Sequence, residues 1–256
     1  MTDRGLGHAR NEDAVALARE ACFEGQVTIL VVCDGVSSSQ EADQASALAA
    51  QTACDALVRF VSEGNDPASA SAMGSAIREA HAALCTQAVS LAATEADDRD
   101  PPGTTIVAVL VQGPTVTLGW VGASRAYWVG PDGYGLLTHD HSWVNEVVDS
   151  GQMSEAAASH APQAHALTHC IGALEREDAD AAPEPATATF TVPPNCRLLL
   201  CSDGLWNYAS RPDQMAEIVR AVPGGASSLS LCRTLVDDAL ACGGQDNVTA
   251  AALFLP

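Results

Sequence analysis

Gln26-Val27-Thr28-Ile29-Leu30-Val31-Val32-Cys33-Asp34-Gly35 is the stretch on which the fold turns. An apolar, β-branched run closed by Asp-Gly reads as a buried strand with a turn after it. Residues 14–19 read as a partner strand, the two meeting around Glu24-Gly25. Beyond the turn the period changes. Over residues 42–61, Ala45, Leu48, Ala49, Thr52, Ala53, Ala56, Leu57 and Phe60 recur at helical spacing.

The rest of the chain extends this pattern. Glu63-Gly64-Asn65-Asp66-Pro67 breaks the helix, with Asp66 as the expected N-cap of a second one over 67–94. That helix has Ile77, Ala80, Leu84, Ala88 and Leu91 on one face. The acidic run Glu95–Asp100 and Pro101-Pro102 read as a solvated loop. Strands are expected at 104–112, 115–121, 125–129 and 135–137, with turns at Gly113-Pro114 and Pro131-Asp132-Gly133. A short helix over 142–150 would turn Trp143, Val144, Val147 and Val148 inward, followed by a mixed, His-rich 151–170. After an Ala/Pro/Glu-rich loop at 175–186 come strands 187–192 and 196–202, helices 211–221 and 227–241, and a last strand, 247–254. This order does not alternate strand and helix, which argues against a doubly wound parallel sheet. It predicts an α/β layered sandwich (α-β-β-α), two stacked antiparallel sheets flanked by helices, in a single domain over 1–256.

Composition narrows the function classes. All twelve basic residues are Arg, and the formal net charge is −20. Such a chain is a poor ligand for nucleic acid, whose phosphates need neutralising cations. A phosphate-bearing substrate would need something local and positive, and divalent metals supply that. No apolar stretch approaches the roughly 18 residues of a membrane span. The opening Met1-Thr2-Asp3-Arg4-Gly5 lacks the pattern of a signal peptide, so a cytoplasmic location is expected. Nine Cys occur without a C-x-x-C pair. Cys33, Cys54, Cys201 and Cys232 stand in apolar contexts and read as buried free thiols.

Three Asp read as standing each at the end of an apolar, strand-like run: Asp34 before Gly35, Asp203 before Gly204, and Asp246 before Asn247. Each alone is ordinary turn chemistry. With Arg10-Asn11-Glu12-Asp13 at the start of the first strand they make a set of acidic clusters that would repel one another unless a cation sat among them. Oxygen donors of this kind suit Mg²⁺ or Mn²⁺.

The chain resembles the metal-dependent serine/threonine protein phosphatases of type 2C, in their bacterial form, over nearly its whole length. The motifs come in family order. They are Thr2-Asp3-Arg4-Gly5 with Asn11-Glu12-Asp13-Ala14; Val32-Cys33-Asp34-Gly35-Val36; Gly103-Thr104-Thr105; and Val121-Gly122-Ala123-Ser124-Arg125-Ala126-Tyr127. Then follow Leu137-Thr138-His139-Asp140-His141-Ser142 with Val144-Asn145-Glu146 and Gly151-Gln152-Met153, Leu167-Thr168-His169-Cys170-Ile171-Gly172, Cys201-Ser202-Asp203-Gly204-Leu205, and Asp246-Asn247-Val248-Thr249.

The resemblance implies hydrolysis of phosphoserine and phosphothreonine in proteins, opposing a bacterial Ser/Thr kinase. It implies that Asp34 bridges two Mn²⁺ or Mg²⁺ ions, with the Gly35 carbonyl on the first and Asp203 and Asp246 on the second. Glu12 and Asp13 would hold metal-bound waters. Ions about 3.5–4 Å apart would share the hydroxide that attacks phosphorus in line. A mobile flap is implied around 139–172, and a monomer is expected. These expectations make Asp34, Asp203, Asp246, Glu12 and Asp13 the catalytic set.

Three departures stand out. His8 occupies the position of the family's phosphate-contacting Arg; Arg10 could replace it if residues 8 and 10 share a face of an extended segment. Val36 stands where some members carry a His, which leaves the proton donor unassigned. Ala123 replaces a carboxylate that helps to bind a third ion, which puts that ion in doubt and allows an alternative: an impaired phosphatase-like domain that binds phosphoproteins or regulatory partners. An aspartyl-nucleophile phosphatase built on Asp34 fails, because Val36 stands where a second Asp is needed. His139, His141, His160, His165 and His169 cluster near the flap without a compact metal spacing. Arg125 is expected to pair with a carboxylate, and Ser37-Ser38-Ser39 to form a loop and N-cap. Trp143 and Trp206 are expected to anchor core or hinge.

Overall fold

The computed structural model describes residues 1–22, 25–92, 100–172 and 183–256. After the short β1 (Thr2–Asp3), β2 (Asp13–Cys22) and β3 (Gly25–Asp34) form an antiparallel hairpin in which Asp13 lies opposite Asp34. Both faces of β3 are apolar and buried, with Val27, Ile29 and Val31 toward the helices and Leu30 and Val32 toward the other sheet. Helices α1 (Ala42–Ser62) and α2 (Ala70–Ala92) follow. Ala45, Ala49, Ala53 and Leu57 of α1 and Ile77, Ala80 and Leu84 of α2 are buried, as their spacing predicts. Helix α2 starts later than expected. Asp66 accepts from the Ala68 N–H at 2.9 Å in a turn, and Ser69 takes the capping position by accepting from the Ala72 N–H at 3.2 Å.

The predicted strand 104–112 is divided into β4 (Gly103–Thr104) and β5 (Ile106–Gln112), because Thr105 donates its N–H to the Asp34 carbonyl at 2.8 Å. Next come β6 (Thr115–Val121), β7 (Arg125–Val129), β8 (Tyr134–Leu136), α3 (Trp143–Asp149), α4 (Glu155–Ala158) and β9 (Ile171–Gly172). The chain closes with β10 (Ala186–Thr191), β11 (Cys196–Cys201), α5 (Asp203–Trp206), α6 (Pro212–Ala221), α7 (Ser228–Ala241) and β12 (Val248–Leu255). The expected solvated run from Glu95 to Asp100 lies, apart from Asp100, outside the described residues, as does much of the 175–186 loop.

Two antiparallel sheets stack, in the orders β1-β12-β11-β7-β8 and β10-β6-β5-β3-β2, while β4 and β9 form a separate pair. Leu30, Val32, Val107, Val109, Leu118, Leu198 and Leu200 fill the space between the sheets. Helices α1 and α2 cover the outer face of one sheet, and α5, α6 and α7 that of the other. This is the α-β-β-α sandwich that the element order predicts.

The register brings one end of both sheets together. The C-terminal ends of β3 and β11, the N-terminal ends of β2, β7 and β12, and the β6–β7 turn all face the same way. A hydrogen bond from the Ser202 hydroxyl to Asp13 Oδ2 at 2.6 Å ties the two sheets across this end.

Candidate metal centre

Asp34, Asp203, Asp246 and Asp13 converge at that end from four separate stretches of chain. Asp34 is held by its backbone. Its N–H donates to Thr105 Oγ1 at 3.2 Å, and its carbonyl accepts from Thr104 Oγ1 at 2.8 Å. Gly35 follows because a Cβ there would run into the carbonyls of Ala42 and Glu12. Gly204 is required in the same way: a Cβ would strike the Asn247 carbonyl. The absence of that atom lets α5, which begins at Asp203, close onto the Asp246-Asn247 turn.

The carboxylates oppose one another. Asp34 and Asp203 lie within hydrogen-bonding reach, an arrangement that favours the proton on Asp34 when no cation is present. Burial, then the charges of Asp13, Asp203 and Asp246, push the Asp34 carboxyl well above its usual range. Burial and then the Asp246 charge raise Asp203 to about 6. Burial raises Asp13 to about 7, against the lowering effect of its hydrogen bonds with Ser202 and Thr249. Asp13 Oδ1 is buried and has no hydrogen-bond partner. Unpaired buried carboxylate oxygen is costly, and every donor here is hard oxygen.

The set therefore fits hard divalent cations. Among the described residues no three His, Cys, Asp or Glu side chains already surround one cation position. The carboxylates lean on their neighbours instead, Asp34 on Asp203 and Asp246 on His8 Nε2 at 3.2 Å.

Glu12 stands beside the Asp cluster. It accepts from the Ser37 hydroxyl at 2.5 Å, and its carbonyl accepts from the Gly35 N–H at 3.0 Å. The expectation of an extended segment at residues 8–10 is not met. Residues 5–7 form a turn and residues 9 and 10 a bend, so two-residue alternation does not apply there. Arg10 is 73% exposed and reaches toward Asp43 at 4.0 Å, while His8 turns to Asp246. The loop Ser37–Ser39 does not cap α1 with a side chain; Glu41 stands at the cap in a left-handed conformation.

Two residues carry more than their motifs suggest. Asn247 is 3% exposed, donates to the carbonyls of Arg4 and Arg10 at 2.7 and 3.0 Å, and accepts from the Glu12 N–H at 2.6 Å. Ser202 accepts from the Thr249 N–H at 3.0 Å while donating to Asp13. A polar residue inside an otherwise apolar strand end was the available signal for both.

The expected flap leaves the sheet at His139 and carries α3 and α4. Its base is closed by hydrogen bonds from the Trp143 N–H to Ala166 O and from the Thr168 N–H to His141 O, at 2.9 and 3.0 Å. His141 packs edge-on against His169, with ring centroids 5.2 Å apart, and accepts from the Gly122 N–H, while His139 lies 2.7 Å from Asp149 and His160 meets the Ala156 carbonyl. Cys33, Cys54, Cys201 and Cys232 are buried free thiols, as expected.

A two-sheet sandwich with hard oxygen donors gathered at one end defines the class: a protein built to hold divalent cations in a partly buried acidic site. A family model described as Protein phosphatase 2C matches residues 5–230, and the chain belongs to that family. It is 29% identical over 252 residues to the serine/threonine phosphatase Stp of Listeria innocua, covering 97% of this chain and 91% of that protein. The solved structure of the S. agalactiae serine/threonine phosphatase superposes with a TM-score of 0.77 at 26% identity, covering 100% of this chain and 98% of that one. The catalytic domain of the phosphatase PstP in complex with two manganese ions gives a TM-score of 0.73 at 27% identity, covering 100% and 96%.

Proposed function

We propose that the chain is a divalent-metal-dependent phosphatase that removes phosphate from phosphoserine and phosphothreonine in proteins. The observation that carries this reading is the convergence of Asp34, Asp203 and Asp246, with Asp13 behind them, on one sandwich end of a 2C-family fold. Asp34 would hold both cations, with the Gly35 carbonyl on one and Asp203 and Asp246 on the other. When bound, Mn²⁺ or Mg²⁺ supplies positive charge for the phosphoryl oxygens and lowers the pKa of a coordinated water. Asp13, oriented by Ser202, and Glu12, oriented by Ser37, would hold waters at the edge of that centre. His8 and Arg10 are basic side chains of the loop beside it, and they are the candidates for phosphate contact; Arg4, in the same loop, donates to the Ala9 carbonyl.

We read residues 1–256 as one catalytic domain with a flap at 139–172, a cytoplasmic monomer opposing a Ser/Thr kinase. Among the described residues no helix is long and apolar enough to cross a membrane. The second reading, an impaired domain that binds phosphoproteins, rests on Ala123. Phosphopeptide hydrolysis with Mn²⁺, and again with a chelator, separates the two. Metal-dependent release of phosphate is expected. Turnover that survives chelation would sink the metal centre, and phosphopeptide binding without turnover would favour the second reading.

A further inference from the structure

We propose that Arg125 is a positioning residue that couples the flap to Asp203, so that cation binding and the seating of the flap reinforce each other. The inference rests on the reading of Asp203 as a metal ligand and concerns a residue some way behind it.

Arg125 opens β7 in the turn after β6, and its side chain is 13% exposed. The guanidinium forks onto Asp140, with Nε at 3.0 Å from both carboxylate oxygens and Nη2 at 2.7 Å from Oδ2. Its third nitrogen, Nη1, donates to the Ser210 carbonyl at 2.9 Å and to the Tyr127 hydroxyl at 3.3 Å. The plane lies over Trp206, with Cζ 3.7 Å from the ring centroid. The two principal partners lie on different elements: Asp140 in the segment after β8, and Trp206 in α5.

Asp140 begins the flap. Its carbonyl accepts from Asn145 Nδ2 at 2.9 Å, which ties it to α3. Trp206 is the last residue of α5, the single-turn helix whose first residue is Asp203. Its indole N–H donates to the Ala123 carbonyl at 2.9 Å, which returns the chain of contacts to the turn that bears Arg125. Between them, Ser124 shares a hydrogen bond of 2.7 Å with Thr105, whose hydroxyl also receives the Asp34 N–H. A movement of α3 therefore reaches α5 through one planar cation that is hydrogen-bonded through all three of its nitrogens.

Arginine suits this role because its fork fixes direction as well as charge; lysine would keep the charge and lose the geometry. A merely structural ion pair would hold the fold together equally with and without metal. A coupling residue makes a different prediction. Whatever factor Mn²⁺ binding contributes to flap closure, flap closure must return to Mn²⁺ affinity.

The test uses the full chain in three forms: wild type, Arg125→Lys and Trp206→Phe. Hydrogen exchange across 142–158 is followed with and without Mn²⁺, and Mn²⁺ affinity is measured by calorimetry. In the wild type, Mn²⁺ should slow exchange in α3 by about fivefold or more, the lower end of ordinary couplings. Both variants should lose most of that protection, and their Mn²⁺ affinity should fall by a similar factor. Trp206→Phe keeps an aromatic ring, smaller than indole, and removes the N–H bond to Ala123, so it carries the test if Arg125→Lys does not fold. Mn²⁺ binding to the wild type with flap exchange unchanged would overturn the coupling alone and leave the metal centre standing. Full protection retained in a folded variant would do the same. A wild type that binds no Mn²⁺ would overturn the metal centre and the coupling together.

Discussion

The side-chain amide of Asn247 accepts the Glu12 backbone N–H at 2.6 Å and donates to the carbonyls of Arg4 and Arg10. One buried side chain thus pins the whole N-terminal loop against the turn that carries Asp246. Asn is suited to it because it offers donors and an acceptor without a charge. An Asp there would lose the donors and add a fifth carboxylate to a crowded site.

Asn247→Ala should therefore lower stability by about 2–4 kcal/mol, from lost hydrogen bonds and backbone groups left unpaired. In a chain of this size that corresponds to a fall in Tm of roughly 5–15 °C. Thermal melts check it. A change within about 0.5 kcal/mol, the scatter of ordinary surface substitutions, would mean that the loop is held elsewhere.

The sandwich was legible in the sequence because each layer writes its own period: the unbroken apolar run of β3 and the helical stripe of Ala45, Ala49, Ala53 and Leu57. Asp34, Asp203 and Asp246 were legible because each ends or flanks such an element. The short pieces were not. Helix α5 and strand β9 are too brief to show a period, and both are set by tertiary contacts. The reading of residues 8 and 10 as one face failed because Gly5, at φ +72°, starts a turn where alternation assumes extended chain. A carboxylate partner is expected for Arg125 from the sequence, but only the folded chain shows that it is Asp140, in the segment after β8.

Proton uptake by the carboxylates gives the metal-free protein an unusual pH dependence. Asp13 and Asp203 are raised in the folded state to about 7 and about 6, from a reference of 3.8. The folded state then binds protons more tightly than the unfolded one. The associated stability is present below the reference value and is lost as the pH rises through about 6 to 7. Without metal, Tm should fall between pH 5 and pH 8. Mn²⁺ at about 100 times its Kd should add ~2.7 kcal/mol, or roughly 5–10 °C, and reverse much of that loss. Equal Tm values at both pH values without metal would show that these carboxylates are not forced together.

Mn²⁺ affinity should rise over the same range, by about tenfold per pH unit for each proton displaced. Ser202→Ala removes a hydrogen bond that favours ionised Asp13, so its carboxyl should titrate higher still. The variant's affinity curve should lie displaced to higher pH, with the two curves converging in alkali. Calorimetric titrations at several pH values decide this. Superimposable curves would place Asp13 outside the cation's influence.

Ala123 presents a final contrast. It is 8% exposed, and its carbonyl accepts the Trp206 indole N–H, so its backbone is already committed. Ala123→Asp adds only a carboxylate, at the position where the family's motif carries one. Without cations the substitution adds a charge at a position only 8% exposed, in an already acidic protein, and Tm should fall. With excess Mn²⁺ the same charge should help to hold a further ion, and turnover of a phosphopeptide should rise by at least about tenfold, ~1.4 kcal/mol of barrier. The paired outcome is diagnostic, because a substitution that merely damaged packing would lower both quantities. Turnover that stays level while the metal-free Tm falls would show that the parent chain is not limited by the absent carboxylate.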